Sequence, residues 1–146
     1  MDPAELEARL DPAGLEVRRQ VLGDAHVTRS ITGADGFTAD FQEFITHYAW
    51  GGVWTRDGLD RRTRSCITLA VLTALHCTEE LPLHIRGALN NGLTPDEIGE
   101  VLLHTAIYAG VPAANSAFAV ARRTLDTLGP GGGVPGAATD PADLNP

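Results

Sequence analysis

The stretch His76-Cys77-Thr78-Glu79-Glu80-Leu81-Pro82-Leu83-His84-Ile85-Arg86-Gly87-Ala88-Leu89-Asn90-Asn91-Gly92 decides how this chain is read. It contains a helix start, one short helix and a helix stop. Thr78 is placed to cap, and Glu79 and Glu80 suit the positive end of a helix dipole. Pro82 is near enough to the start to be tolerated, and Gly92 stands where a C′ glycine ends a helix. Leu81, Ile85, Ala88 and Leu89 keep the spacing of a buried stripe. Beside it runs a second stripe of Glu80, His84, Gly87 and Asn91. A carboxylate and an imidazole four residues apart on a helix can meet, so Glu80 and His84 are the candidate catalytic pair, with small Gly87 leaving room beside them.

Outward from this hub the segments read as helices, with a loop at Thr32–Gly36 and a turn at Thr55–Asp60. Downstream, Thr94-Pro95-Asp96-Glu97 is a capping box with proline at the first helical position. Ile98, Val101, Leu102, Thr105 and Ala109 mark its buried face up to Gly110. Val111-Pro112 opens a last helix through Ala113, Ala117, Val120, Ala121 and Leu125, rich in alanine where it must pack closely. Upstream, residues 59–76 are apolar on nearly all sides after Cys66, which predicts a helix buried in the middle of the domain. Phe37, Phe41, Phe44 and Ile45 predict an amphipathic helix over 37–49. Residues 3–30 read as a short helix and a longer one, parted at Pro12 and Gly14. No strand alternation is visible. The expected fold is all-α, of about six helices, in one domain over residues 1–128. Residues 129–146, rich in glycine and proline, read as a disordered tail.

Composition narrows the function. The chain has 146 residues and a formal net charge of −8, and its 11 basic residues are all arginine. An acidic chain is a poor partner for nucleic acid. No apolar run approaches the ~18 residues of a membrane span. The start, Met-Asp-Pro-Ala-Glu, lacks a basic region followed by an apolar one, so no signal peptide is read and a cytoplasmic location is expected. Cys66 and Cys77 match neither a zinc spacing nor a Cys-x-x-Cys motif. His76, Glu80 and His84 are evenly spaced, but Thr78 and Pro82 imply a helix restart between them, and no metal site is assigned. His47 and His104 read as partly buried and hydrogen-bonded, and His26 as surface or interface.

Two other features suggest a site. Arg61, Arg62 and Arg64 crowd the first turn of a helix, where cations oppose the dipole. They call either for acidic partners, from Asp57, Asp60 or a neighbouring helix, or for an anionic ligand. Trp50-Gly51-Gly52-Val53-Trp54 holds both tryptophans and implies a tight backbone path with the rings packed over something, either a hydrophobic plug or a pocket wall.

These runs together carry a resemblance. Val21-Leu22-Gly23-Asp24-Ala25-His26-Val27, Tyr48-Ala49-Trp50-Gly51 with Trp54-Thr55-Arg56, Gly58 to Ser65, Leu83 to Gly92 and Gly110 to Phe118 are similar to the carboxymuconolactone decarboxylases of the β-ketoadipate pathway. The likeness spans about residues 17–128. It implies membership of the broader group that includes the alkylhydroperoxidase AhpD, whose members are small helical proteins assembled as homo-oligomers, with a trimer or hexamer expected. It also implies a carboxy-lyase of protocatechuate breakdown, which converts 4-carboxymuconolactone to 3-oxoadipate enol-lactone and CO2 without a cofactor. The peroxidase branch carries Cys-x-x-Cys-x-x-x-His; here the matching positions are Cys77, Glu80 and His84, so the second cysteine of that dithiol is missing.

On this reading the lactone dicarboxylate is the small-molecule partner. His84 acts as donor or acid and Glu80 sets its tautomer or raises its pKa. Arg61, Arg62, Arg64 and Arg86 are the candidate carboxylate binders, Trp50, Trp54 and Tyr108 the walls, and Asn90 or Asn91 the oxyanion donors. The rival readings are a thiol peroxidase or redox protein using Cys77 and Cys66, an assembly subunit without a site, and a decarboxylase of a related lactone. On one straight helix the two sulfurs would sit roughly 16 Å apart, too far for a disulfide.

Overall fold

The computed structural model describes residues 1–129; the predicted tail lies outside them, apart from Gly129. Within them the chain forms α1 (Pro3–Arg9), α2 (Pro12–Leu22), α3 (Asp24–Thr32), α4 (Ala39–Ile45), a π-helix (Thr46–Trp54), α5 (Arg61–Ala74), α6 (Leu81–Asn90), α7 (Pro95–Ala109) and α8 (Val111–Leu128). No strand occurs among the described residues. The all-α reading stands, with more elements than the six expected. The surplus comes from a break at one residue and from the π-helix that continues α4 directly. Gly23 (φ 89°) ends α2 and starts α3, where the sequence reading ran one helix through to residue 30. Glycine tolerates that left-handed conformation, so the chain turns without a loop.

Local chemistry fixes the other boundaries. Asp2, Asp11, Asp60 and Thr94 each cap a helix by accepting a backbone N–H. Glu97 does not close a capping box, because its carboxylate pairs with Arg62 instead. α5 ends in a Schellman motif: the Cys77 N–H donates to the Leu72 carbonyl and the His76 N–H to that of Thr73, with His76 at φ 57°. That stop consumes residues 75–77, so α6 starts at Leu81 and not at Thr78. Glu80 holds the N-cap position without a side-chain cap. At the other end Gly92 is the C′ residue, as its place in the sequence indicates, with the Leu93 N–H donating to the Ala88 carbonyl.

The helices build two cores. The C-terminal core gathers Leu69 (α5), Leu81, Ile85 and Ala88 (α6), Ile98 and Leu102 (α7), and Ala117, Val120 and Ala121 (α8). The N-terminal core gathers Leu6, Val17, Val21, Val27, Ile31, Ala39 and Trp50. Helix α6 sits on the seam: its apolar stripe enters the first core, while Leu83 packs against the second. Gly87 is buried where α2 crosses α6; a Cβ there would lie 3.4 Å from both the Cγ1 and the carbonyl oxygen of Val21. The room expected beside Gly87 is therefore filled by α2.

Two expectations about burial are corrected. The Phe37–Phe41–Phe44 stripe faces outward at 93, 59 and 57 % exposure, and α4 buries Ala39 on its other side. Helix α5 is not surrounded: Ile67, Val71 and Leu75 are exposed, as are Leu103, Ile107 and Tyr108 of α7. Apolar periodicity identifies a covered face but does not say whether the cover comes from the same chain.

Candidate active site

His84 lies one turn into α6, half-buried, and its backbone N–H donates to the Glu80 backbone carbonyl. Burial is the main influence on its imidazole and pushes the pKa below the ordinary value. Glu80 pulls the other way, and His26 adds to the lowering. The expectation that Glu80 raises the pKa is thus right in direction for the charge of Glu80, which burial outweighs. His26, read from sequence as surface or interface, is half-buried on α3. Its pKa is also lowered, first by burial and then by Arg18, Arg29 and Arg86. Helices α2, α3 and α6 therefore bring two neutral imidazoles and three arginines within electrostatic reach, with Glu80 the one acid acting on His84.

The remaining candidates separate. Arg86 belongs to this cluster. Asn90 donates to the Val21 carbonyl (2.7 Å), and Asn91 donates to Ser65 Oγ (2.8 Å) and to the Arg61 carbonyl. Both amides tie α6 to its neighbours; the two N–H groups of Asn91 are engaged, while Asn90 uses one of its two. Arg62 donates to the Gly92 carbonyl and pairs with Glu97 of α7, which answers the crowded first turn of α5 with a neighbouring helix. Arg64 donates to the Arg56 carbonyl (3.2 Å). Arg61 is half-buried on the same turn. Arg62 and Arg64 are thus engaged around the α5 terminus, and none of the three is among the charges that act on His84. Trp50 is buried in the N-terminal core and stacks on Trp54 at 5.1 Å, which favours the plug over the pocket wall. Tyr108 is 80 % exposed, in a groove lined by α5 and α7 alone. His47 and His104 are exposed and lie against Tyr48 and Tyr108, contrary to the partly buried places expected for them.

Both cysteines are free; Cys66 lies within α5 and Cys77 beyond its end. Burial pushes the Cys66 thiol up, away from the thiolate that redox work needs. No group of three or more His, Cys, Asp or Glu that could hold a metal ion occurs among the described residues.

One residue escaped the sequence reading. Arg18 on α2 is 3 % exposed and lies among buried Gly14, Val17, Val21 and Leu22. Its signal was available: positions 14, 17, 18 and 21 are one helical stripe, and a charge on an apolar stripe is anomalous.

The seam of the two helical cores thus gathers two imidazoles and three arginines, none of the three paired with an acid among the described residues. Comparison with known proteins identifies the family. The profile of the Carboxymuconolactone decarboxylase family matches residues 39–123, and the chain belongs to that family. It is 51 % identical over 116 residues to a 4-carboxymuconolactone decarboxylase of Acinetobacter baylyi, covering 80 % of this chain and 87 % of that one. It is 44 % identical over 124 residues to the nitrosuccinic acid decarboxylase npaB of Metarhizium robertsii, covering 85 % and 87 %.

Proposed function

We propose that this protein decarboxylates 4-carboxymuconolactone to 3-oxoadipate enol-lactone and CO2, within protocatechuate breakdown. What carries the reading is the half-buried His84 with Glu80 one turn away, in a chain 51 % identical to a relative named for that reaction. The bond between ring carbon and carboxyl carbon breaks, and its electron pair spreads through the conjugated ring to the lactone carbonyl oxygen. A proton then joins ring carbon. The substrate holds its own electron sink, so the reaction asks for no cofactor. The protein must anchor one carboxylate, desolvate the other, stabilise the oxyanion and supply the proton. His84 serves the last two tasks as hydrogen-bond donor and acid, and Glu80 holds its tautomer.

The 44 % identity to a nitrosuccinic acid decarboxylase supports a second substrate reading. A nitro group beside the departing carboxylate is also a built-in sink, so the same residues would suffice. The thiol-peroxidase alternative has little support, since the position of the second motif cysteine is Glu80.

The working unit is a homo-oligomer, a trimer or hexamer. Support comes from two separate exposed apolar faces, one on α5 and α7 and one at Phe37–Phe41–Phe44–Tyr48. Free cysteines suit a reducing cytoplasm.

The test is to mix the protein with each acid and follow ultraviolet absorbance and CO2 release, with and without thiol alkylation and chelator. Turnover of the lactone that survives both treatments is expected. Turnover of nitrosuccinate alone would move the assignment to the second reading. Activity lost to alkylation, or restored by one divalent metal, would refute cofactor-independent acid–base chemistry.

A further inference from the structure

Arg18 is a buried cation without a counter-charge. Its Nη1 donates to Thr46 Oγ1 (3.1 Å) and its Nη2 to Gln42 Oε1 (2.9 Å), while the Nε–H has no partner. Both acceptors are neutral, and no carboxylate pairs with the group among the described residues. A guanidinium keeps its charge at any ordinary pH and presents five N–H donors, so the residue sits desolvated with its charge uncancelled. The nearby charges make matters worse, because Arg19 has the same sign and Arg18 itself opposes protonation of His26. By contrast Arg9, Arg19 and Arg62 all pair with acids.

The backbone is arranged to keep it so. Thr46 is the first residue of the π-helix, and its hydroxyl donates to the Gln42 carbonyl (2.7 Å), which turns its oxygen toward Arg18 as an acceptor. Wide π turns inside helical chains are frequent at functional sites. The fork is thus held by neutral groups, which leave its charge uncancelled. Its electrostatic neighbour His26 is in turn a neighbour of His84.

We propose that Arg18 is the anchor for the carboxylate the substrate keeps, in a site shared with His26 and His84. This rests on the decarboxylase reading above and deepens it. The departing carboxylate is a poor candidate for that clamp. A bidentate arginine would stabilise its negative charge in the ground state and oppose loss of CO2, whereas binding the retained carboxylate helps ground and transition states alike. Arg18 therefore selects dianionic acids over monoanionic ones.

The experiment uses two readouts on the full chain, with succinate as a non-reacting dicarboxylate probe and butyrate as its one-carboxylate control. Calorimetry is expected to find succinate, and not butyrate, bound to the wild type. Arg18→Met should weaken succinate at least tenfold and raise KM at least tenfold, with a smaller change in kcat. Arg18→Lys should fall between them, and the exposed Arg123→Met should match the wild type. A folded Arg18→Met with succinate affinity and KM within twofold of the wild type would overturn the proposal. Should neither Arg18 variant fold, the Arg18 Nε–H signal in a nitrogen–proton spectrum of the wild type decides: it should shift as succinate is added, and a fixed signal overturns the proposal. If Arg18-dependent succinate binding appears in a protein that turns over neither acid, the decarboxylase reading fails and the anion site stands. Normal turnover with an indifferent Arg18→Met does the reverse.

Discussion

Gly14→Ala should unfold the N-terminal half of the site far more than a single methyl suggests. In the middle of a helix this exchange ordinarily stabilises by about 0.5–1 kcal/mol. Here a Cβ on Gly14 would stand 2.7 Å from the Gly51 nitrogen and 2.9 Å from Asp11 Oδ2, and closer still to the Thr46 carbonyl oxygen. Two of these are backbone atoms of the π-helix, and the third is the carboxylate that caps α2 by accepting the Gly14 N–H. None can swing aside as a flexible side chain would. Restoring ordinary contact asks for a shift of more than half an ångström between α2 and the π-helix. Overpacking of that kind costs about 1–3 kcal/mol and occasionally more. The propensity gain offsets only part, so the net expectation is a loss of about 2 kcal/mol. At roughly 3–5 °C per kcal/mol for a chain of this size, the melting temperature should fall by about 6–10 °C.

The damage should also reach binding, because Arg18 lies one turn along α2 from Gly14 and donates to the residue whose carbonyl the new methyl strikes. Thermal melts by circular dichroism at fixed protein concentration, together with KM, provide the measurement. Gly99→Ala is the internal control: it sits within α7 with nothing within 4 Å of its Cβ position, and should stabilise by about 0.5–1 kcal/mol. Gly14→Ala melting at or above the wild type would refute the claimed α2–π-helix contact.

His84→Ala should cut kcat by about 10² or more in a folded protein, the usual scale for a positioned acid or donor. His84→Gln retaining most activity would make His84 an electrostatic donor, while equal loss would make it the acid; Glu80→Gln should hurt less than either. Ile107→Arg, on the exposed face of α7, should lower the mass seen by light scattering at micromolar concentration, and an unchanged mass would remove that face from the assembly. Stability should fall as pH drops below about 6.5: His84 and His26 have folded pKa values below their unfolded ones, so in that window the unfolded chain binds more protons. Denaturant melts with a flat profile from pH 7 to 5 would contradict the burial of both rings.

How much of this was legible without coordinates depends on the range of the interaction. Caps and stops are local, and Thr94, Pro95 and Gly92 were readable because their partners lie within a few residues. Thr78 failed for a local reason as well: the Schellman stop after α5 takes up the residues a helix from Thr78 would need. The stripe Leu81–Ile85–Ala88 was readable because burial repeats with the helix. The Phe37–Phe41–Phe44 stripe has the same periodicity and points outward, since a pattern carries no information about which surface covers it. Asn90, Asn91 and Arg62 looked functional because their true partners, Val21, Ser65 and Glu97, are distant in sequence. Arg18 offers one local sign, a charge on the apolar stripe of α2, while its partners Gln42 and Thr46 lie far along the chain.

The charges at the seam bear on how one imidazole can serve two steps. In the unliganded protein burial keeps both His84 and His26 neutral, and the surrounding arginines hold His26 so. A neutral His84 can donate to an oxyanion but has no proton to give away cheaply. On the proposed anchor, a dianionic acid entering beside Arg18 would reverse the local sign of charge. Arg18 would then be occupied, and two negative charges would favour imidazolium. The ligand would thereby recruit the proton that its own decarboxylation consumes. The pH profile carries the signature, because kcat/KM reports the free enzyme and kcat the complex. The histidine limb should lie at higher pH in kcat than in kcat/KM, and the gap should shrink in Arg18→Met, where the anion no longer sits close enough to invert the field. Coincident limbs in the wild type would mean that His84 acts neutral throughout, and the proton would then have to come from water.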